Sequence, residues 1–162
     1  GGEFGPRALG HRSILADPRT RASKERLDSE IKRREWFRPY APSVLAEHAD
    51  EYFEMPGPGP SPYMLLAVNT RVAVRDKIPA IVHVDGTARV QTVTRDIEPL
   101  YHRLISRFHE ITGVPLVLNT SFNGYGEPMV ETPADAIEAM RSMSLDAVAI
   151  GDYLVWTKGS AP

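Results

Sequence analysis

The stretch Pro115-Leu116-Val117-Leu118-Asn119-Thr120-Ser121-Phe122-Asn123-Gly124 changes from apolar to polar within ten residues. Its short apolar part predicts a buried strand over residues 115–119. The polar residues that follow stand just beyond the strand's carboxyl end, where open α/β sheets usually bind ligands. Such turns can form anion-binding nests, although an Asn- and Ser-rich turn can also bond only to itself. We favour a ligand role, because five consecutive small polar or aromatic residues exceed what a turn requires.

Predicted helices and strands are mixed along the rest of the chain, which favours an α/β or α+β fold. Helices are predicted over 23–34 with Ser23 as the N-cap, over 97–112 ending at Gly113, and from Thr132-Pro133 onward. A short helical turn is predicted within 44–53, and a loop over 55–62. Strands are predicted over 63–68, 78–84, 87–94, 147–150 and 153–156, with Asp85-Gly86 as a hairpin turn between the second and third.

The composition predicts one soluble domain over residues 1–162. The chain has 162 residues, of which 42% are hydrophobic and 25% charged. It contains no apolar run long enough to span a bilayer, so no membrane segment is expected. The absence of cysteine excludes disulfides, thiol catalysis and thiolate metal sites, and it fits a cytoplasmic protein. Because no Met initiates the chain, we expect it to be the C-terminal part of something longer.

Positive charge is concentrated at the start of the chain. Residues 1–38 carry ten Lys and Arg against six Asp and Glu, and the remainder carries nine against fifteen. The whole chain has a net charge of −2 and a pI near 6.2, which argues against broad, nonspecific nucleic-acid binding. A basic segment in an acidic chain indicates a local anion site. For Arg19 to Arg26, a solvated charged helix explains the pattern equally well.

Three arginines lie among residues that restrict the backbone. Arg7 belongs to Glu3-Phe4-Gly5-Pro6-Arg7-Ala8-Leu9-Gly10-His11-Arg12-Ser13, Arg38 to Arg33-Arg34-Glu35-Trp36-Phe37-Arg38-Pro39, and Arg89 to His83-Val84-Asp85-Gly86-Thr87-Ala88-Arg89. Gly and Pro fix the origin of each side chain, and the guanidinium fork suits phosphate or carboxylate. The sequence therefore predicts a polyanion site.

Other candidate residues leave alternatives open. Lys32 either complements the end of its helix or places an ammonium beside the same anion. His83 is more often a structural residue than a catalyst in such a position. The five histidines lack metal-ligand spacing, so no metal site is predicted. The chain has neither of the common glycine-rich nucleotide loops, and Ser13 and Ser121 lack an evident His/Asp set for a hydrolase triad.

Four motifs in order resemble the C-terminal domain of the O-carbamoyltransferases, a family that includes nodulation-factor and antibiotic-tailoring enzymes. They are Glu-Phe-Gly-Pro-Arg-Ala-Leu-Gly-x-Arg-Ser, Lys-x-Arg-Glu-x-Phe-Arg-Pro-x-Ala-Pro, His-Val-Asp-Gly-Thr-x-Arg-x-Gln and Asn-Thr-Ser-Phe-Asn. The resemblance runs from about Glu3 to Val155. It implies a YrdC-like fold, with an open twisted mixed sheet flanked by helices.

The resemblance also implies a reaction. The YrdC-like domain would use carbamoyl phosphate and ATP to make carbamoyl adenylate, with Mg²⁺ accompanying the ATP. An N-terminal actin-like domain, absent from this chain, would pass the carbamoyl group to an acceptor hydroxyl that this sequence does not identify. The alternatives are a non-catalytic docking or regulatory domain and a YrdC-like RNA-binding module, for which Trp36-Phe37 beside Arg38 is the relevant feature.

On the matching positions, the resemblance implies six substrate-binding residues for carbamoyl phosphate and ATP. They are Arg7, Lys32, Arg38, Arg89, Ser121 and Asn123. Lys32, Arg38 and Arg89 among them are implied to be catalytic, whereas Arg12 and Arg34 are interpreted as structural. Clustered positive charge, more than a dedicated base, is what phosphoryl transfer requires.

Overall fold

A computed structural model describes residues 3, 5, 7–57 and 59–157. The strands are β1 (Ser13–Ala16), β2 (Ala41–Leu45), β3 (Ala67–Asn69), β4 (Thr87–Arg89), β5 (Gln91–Val93), β6 (Leu116–Ser121), β7 (Ala147–Ile150) and β8 (Tyr153–Trp156). The α-helices are α1 (Arg21–Arg26), α2 (Ala49–Tyr52), α3 (Pro99–Thr112) and α4 (Pro133–Ser142). A π-helix (Leu27–Ile31) continues α1, and 3₁₀ helices occupy Ala46–His48 and Val72–Lys77.

The main sheet has four strands in the order β1-β6-β2-β5. β6 pairs antiparallel with both β1 and β2, and β2 pairs parallel with β5. The predicted apolar strand is therefore an inner strand, and both Leu116 and Leu118 are fully buried. The other four strands in the described residues form two separate antiparallel ribbons, β3-β4 and β7-β8.

Helices pack against both faces of this sheet. On one face, Tyr101 and Ile105 of α3 contact Leu45, Val93 and Val117. Alternate residues of the strands point to the opposite face, where they join a larger core with the π-helix and α4. That core includes Ile14, Leu27, Ile31, Val44, Leu116, Leu118, Ala136 and Met140. The prediction of an open mixed sheet flanked by helices is confirmed.

The predicted ends of two later helices are largely confirmed. α3 ends at Gly113, whose φ of 75° is the left-handed value that glycine adopts readily. α4 begins with Thr132 as its N-cap and Pro133 in its first turn. Asp135 completes a capping box with Thr132, so local sequence is enough to start this helix. β7 and β8 also have the predicted bounds.

The first predicted helix has different ends in the structure. Thr20 is the N-cap instead of Ser23, since the Thr20 side chain accepts from the Ser23 backbone N–H. The helix then widens into the π-helix, where the N–H of Lys32 bonds to the carbonyl of Leu27 at 2.7 Å. It ends there, three residues short of the predicted position. Asp28 is buried in this wider segment and accepts from the Tyr40 hydroxyl at 2.8 Å.

Three strand predictions differ from the structure, and two strands, β1 and β2, were not predicted. Residues 78–84 form turns, although Ile78 and Ile81 are buried, because a buried apolar run does not require a strand. Asp85-Gly86 does turn the chain, but β4 pairs with β3 and β5 pairs with β2 instead of forming the predicted hairpin. Residues 63–68 contribute to a strand only from Ala67 onward.

β2 was overlooked because Pro42 suggests a break. Proline is tolerated in this inner strand because the pairing of β2 with β5 begins only at Ser43. The helical turn predicted within 44–53 is present as the 3₁₀ helix at 46–48 and α2.

Candidate functional site

The first motif forms a loop that one carboxylate organises. The Glu3 carboxylate accepts the backbone N–H groups of Leu9 at 2.5 Å, Arg12 at 2.7 Å and His11 at 3.3 Å. These bonds draw residues 9–12 around one negative charge. Arg7 therefore projects from a loop whose path is fixed by main-chain contacts. Phe4 and Pro6, which the sequence analysis included in this motif, lie outside the described residues.

The same loop is fastened to the sheet by buried side-chain amides. Asn119 donates to the carbonyl of Ala8 at 3.2 Å, and Gln91 donates to the carbonyl of Leu9 at 2.7 Å. Ser43 bridges the two amides, donating to Gln91 Oε1 at 2.6 Å and accepting from Asn119 Nδ2 at 3.0 Å. All three side chains are almost fully buried. Three strands thereby hold the loop through its backbone.

The structure brings together three of the predicted site residues: Lys32, Ser121 and Asn123. The Lys32 ammonium lies 2.6 Å from the carbonyl oxygen of Ser121, 2.8 Å from that of Asn123 and 2.9 Å from Asn123 Oδ1. The Ser121 hydroxyl donates to Asn123 Oδ1 at 2.6 Å. Only 7% of Lys32 is exposed. The ammonium thus orders the polar turn that follows β6.

Arg89 lies at the end of β4 and is partly buried. Its Nε is buried and has no hydrogen-bond partner among the described residues. Burial lowers the pKa of Arg89, and the nearby charges of Arg7 and Arg34 lower it further. Burial and the charge of Arg34 likewise lower the pKa of Lys32 to about 8. We call Arg7, Lys32, Arg34 and Arg89 the cationic cluster.

Arg34 is a member of this cluster that the sequence analysis had interpreted as structural. Its guanidinium lies 3.9 Å from the centre of the Tyr40 ring, and its Nε lies 3.5 Å from Asp28 Oδ1. Arg34 does therefore have structural contacts. Its charge nevertheless acts on both Lys32 and Arg89, which come from separate motifs. The signal available in the sequence was its position two residues after Lys32.

The structure does not bring Arg38 into the same contacts. Its side chain is exposed, and its guanidinium lies 3.8 Å from the Glu35 carboxylate. Trp36 and Phe37 beside it are also exposed, with their rings edge-to-face at 6.0 Å. Arg12, interpreted as structural, donates to the carbonyl of Glu131 at 3.4 Å.

His83 precedes the turn that leads into β4, and the charge of Arg89 acts on its imidazole. Its Nδ1 is 3.0 Å from Thr87 Oγ1, and its Nε2 is buried without a hydrogen-bond partner in the described part of the chain. Burial lowers its pKa, Asp85 raises it, and Arg89 lowers it again. Its position just before the Asp85-Gly86 turn had favoured a structural role.

No group of three or more His, Asp or Glu side chains within residues 3, 5, 7–57 and 59–157 is placed to hold a metal ion. No helix in the same ranges is long and apolar enough to cross a membrane.

Comparison with known proteins identifies close relatives. NolNO, a nodulation protein of Sinorhizobium fredii, is 48% identical over 161 residues, which cover 99% of this chain and 24% of that protein. NolO, a nodulation protein of Bradyrhizobium diazoefficiens, is 49% identical over 154 residues, covering 94% of this chain and 28% of the relative. Nodulation protein U of the same species is 47% identical over 135 residues, covering 83% and 23%.

The extent of these matches is informative. The chain spans about a quarter of the length of the curated relatives it matches. A family model described as the carbamoyltransferase C-terminus matches residues 1–157. That range contains the loop around Glu3, the cationic cluster and the turn after β6. The chain therefore belongs to the carbamoyltransferase C-terminus family.

Proposed function

We propose that this domain binds carbamoyl phosphate and ATP and forms carbamoyl adenylate, as the C-terminal part of an O-carbamoyltransferase. The cationic cluster is the observation that carries the proposal. Its members come from the first motif, the segment after the π-helix and the end of β4, yet their charges lie close enough to act on one another. Like charges held close together repel one another, and the Asp28 carboxylate beside Arg34 offsets only part of that repulsion. Two phosphate-bearing substrates would supply further negative charge.

The reaction needs positive charge at two points. Water first converts carbamoyl phosphate into carbamate and inorganic phosphate. A carbamate oxygen then attacks the α-phosphorus of ATP, forming the mixed anhydride and releasing pyrophosphate. The second step brings an anion to an already charged triphosphate, and fixed cations offset that repulsion. Arg89 would bind phosphate oxygens through its guanidinium, since its Nε has no partner in the described residues. Arg7 and Arg34 would neutralise the adjacent charge.

The remaining predicted residues receive narrower roles. Lys32 would keep the turn at 121–123 in a shape that contacts the nucleotide, because its donors already bind that turn. Ser121 and Asn123 would contribute the turn's polar groups to the carbamoyl group and nucleotide. Arg38 is exposed and would contact the outer part of the triphosphate. Mg²⁺ would enter bound to the ATP phosphates.

The full enzyme would combine this domain with an actin-like domain. That domain would receive carbamoyl adenylate and pass its carbamoyl group to an acceptor hydroxyl, releasing AMP. The much greater length of the relatives supports the presence of such a partner domain. A cytoplasmic location remains a prediction from composition.

Pyrophosphate release tests this proposal directly. We expect this chain to release pyrophosphate from ATP only when carbamoyl phosphate is present, and we expect Arg89→Ala to lower the rate roughly ten- to a few hundredfold. Arg21→Ala removes an exposed arginine of α1 and serves as the matched control. Normal release by Arg89→Ala and Arg38→Ala would overturn the site assignment.

The alternative functions give different results in the same experiments. A docking or regulatory domain would bind neither carbamoyl phosphate nor ATP in calorimetry. An RNA-binding module would bind RNA in a salt-dependent manner without binding the nucleotide. The exposed pair Trp36 and Phe37 beside Arg38 is the feature to mutate in that case.

A further inference from the structure

A chain of two hydrogen bonds connects Asp85, Thr87 and His83. Thr87 Oγ1 lies 2.8 Å from Asp85 Oδ1 and 3.0 Å from His83 Nδ1. The Thr87 backbone N–H also donates to Asp85 Oδ1 at 2.9 Å. The turn itself is closed by backbone bonds between His83 and Thr87 at 2.9 Å and between Gly86 and His83 at 3.0 Å. These contacts hold the imidazole in one orientation.

The direction of each hydrogen bond follows from the protonation of Asp85. The hydrogen bonds from Thr87 lower the pKa of Asp85, so its carboxylate is ionised at neutral pH and can only accept. The single hydroxyl proton of Thr87 is therefore donated to Asp85. Thr87 Oγ1 must then accept from His83, which places the imidazole proton on Nδ1. Nε2 carries a free lone pair.

A donor without a hydrogen-bond partner lies on the same side of β4 as that lone pair. His83 Nε2 and Arg89 Nε are both buried, and neither has a hydrogen-bond partner among residues the structure describes. Thr87 and Arg89 are two residues apart in β4, so their side chains project from the same face of the strand. Because Thr87 contacts the imidazole, His83 lies on the same side of β4 as Arg89, and the charge of Arg89 lowers the pKa of His83. A hydrogen-bond acceptor and a donor, both without partners in the described residues, thus lie on one side of this strand.

We propose that His83 Nε2 accepts a hydrogen bond from the carbamoyl N–H₂ group while Arg89 donates to an oxygen of the same molecule. His83 would then be a specificity-determining residue that distinguishes carbamoyl phosphate from acyl phosphates without an N–H group. The inference rests on the proposed function, because it names a contact within that site. His83 Nε2 and Arg89 Nε are both buried, so the side chains over them must move for the ligand to reach them. The amino group of adenine is a second source of the same donor chemistry.

Acetyl phosphate is the appropriate probe, because a methyl group replaces the amino group. We expect this chain to bind carbamoyl phosphate roughly tenfold more tightly than acetyl phosphate, the usual effect of one hydrogen bond whose loss leaves a buried partner unsatisfied. His83→Ala should abolish that preference while leaving acetyl phosphate binding within about twofold. His109→Ala, whose ring packs against His48, is the control for loss of an imidazole.

Thr87 provides a matched pair of variants. Thr87→Val removes the acceptor that fixes the proton on Nδ1, so the preference for carbamoyl phosphate should fall, whereas Thr87→Ser keeps the hydroxyl and should retain it. Nitrogen-15 NMR of the histidine rings in the unmodified chain tests the tautomer without any variant. A proton found on Nε2 of His83 at neutral pH would overturn the inference.

The outcomes separate this inference from the function it depends on. If the unmodified chain binds neither acyl phosphate, both fail. If it binds carbamoyl phosphate with a preference that His83→Ala and Thr87→Val leave intact, only the role of His83 fails. ATP compared with purine riboside triphosphate, which lacks the amino group, tests the second source. A His83-dependent preference for ATP alone would overturn the carbamoyl contact in favour of adenine.

Discussion

The ammonium of Lys32 lies 2.6 Å from the main-chain carbonyl oxygen of Ser121, and the two residues are 89 positions apart in the chain. This contact connects the end of the π-helix with the end of β6. It also brings a nearly buried positive charge to the turn that carries Ser121 and Asn123. The stability of the turn and its charge therefore depend on one side chain.

Replacing Lys32 by methionine should destabilise the fold. Lys32→Met leaves the carbonyl oxygens of Ser121 and Asn123 without their charged donor, which costs about 1–3 kcal/mol for buried polar groups. Urea denaturation at neutral pH measures the loss, with the exposed Lys77→Met as the control. Equal stabilities of the two variants would show that the contact contributes little.

The contribution of Lys32 should also change with pH. Burial and the charge of Arg34 lower the pKa of Lys32 to about 8 in the folded chain, from 10.5. Below pH 8 both folded and unfolded chains bind the proton, so the cost of burying the charge is constant. Between pH 8 and 10.5 the unfolded chain binds more protons, so the free energy of unfolding contributed by Lys32 rises with pH. Unfolding of wild type and Lys32→Met should be compared across that window. A constant difference would contradict the shift.

Arg34→Gln tests whether this arginine belongs to the cationic cluster. Removing its charge should raise the pKa of Lys32, because Arg34 lowers it. It should also weaken pyrophosphate binding roughly tenfold, the usual effect of one charge-assisted contact. NMR titration of the lysine side chains and calorimetry measure the two effects. Arg33→Gln removes the exposed neighbouring arginine and should change both much less. A purely structural Arg34 would lower stability and leave the Lys32 pKa where it was.

Gly10→Ala should be more damaging than another glycine substitution with positive φ. Gly10 has a φ of 125°, and an added Cβ would lie 2.6 Å from the Tyr101 ring. The substitution combines backbone strain with a steric clash, each costing about 1–3 kcal/mol. Gly113 has a φ of 75°, and an added Cβ there would meet no heavy atom within 4 Å. Gly113→Ala therefore bears only the cost of backbone strain. Thermal unfolding compares the two. Similar losses would show that Tyr101 moves aside freely.

Glu3→Gln should loosen the first loop. The glutamine side chain keeps one acceptor oxygen for the three backbone N–H groups that Glu3 binds, and it introduces an N–H₂ donor among them. We expect pyrophosphate binding through Arg7 to weaken roughly tenfold. Faster hydrogen exchange at Leu9 and Arg12 would accompany this change. Glu25→Gln, on the exposed side of α1, is the control, and unchanged exchange in Glu3→Gln would contradict the role of the carboxylate.

Local chemistry explains which parts of the fold could be predicted. β6 and α4 were predicted because an apolar run and a Thr-Pro cap act within a few residues. β2 and residues 78–84 were misread because their conformation depends on distant partners. Pro42 lies where β5 does not yet pair, and Ile78 and Ile81 are buried in turns. The spacing of apolar residues predicts neither the start of the β2–β5 pairing nor the burial of a turn.

The candidate site, like the fold, could be predicted only in part from the sequence. The order of the motifs predicted Lys32, Ser121 and Asn123 as site residues, and the structure places these three in direct contact. The closeness of Arg34 to Arg89 could be seen only in the three-dimensional structure, because Arg34 follows the π-helix whereas Arg89 ends β4. Substrate contacts of the six named residues stay predictions.

The π-helix before Lys32 has a consequence for insertions and deletions in this family. Its wider turn accommodates one more residue than an α-helix of the same rise, and the bond from Lys32 to Leu27 closes it. Deleting one residue from 28–31 would return the segment to ordinary α-helical winding, with the N–H of Lys32 still bonded to the carbonyl of Leu27. The ammonium would then keep its place beside the turn after β6, whereas inserting a further residue would rotate it by about 100° around the axis. We therefore expect this short segment to tolerate a one-residue deletion better than a one-residue insertion.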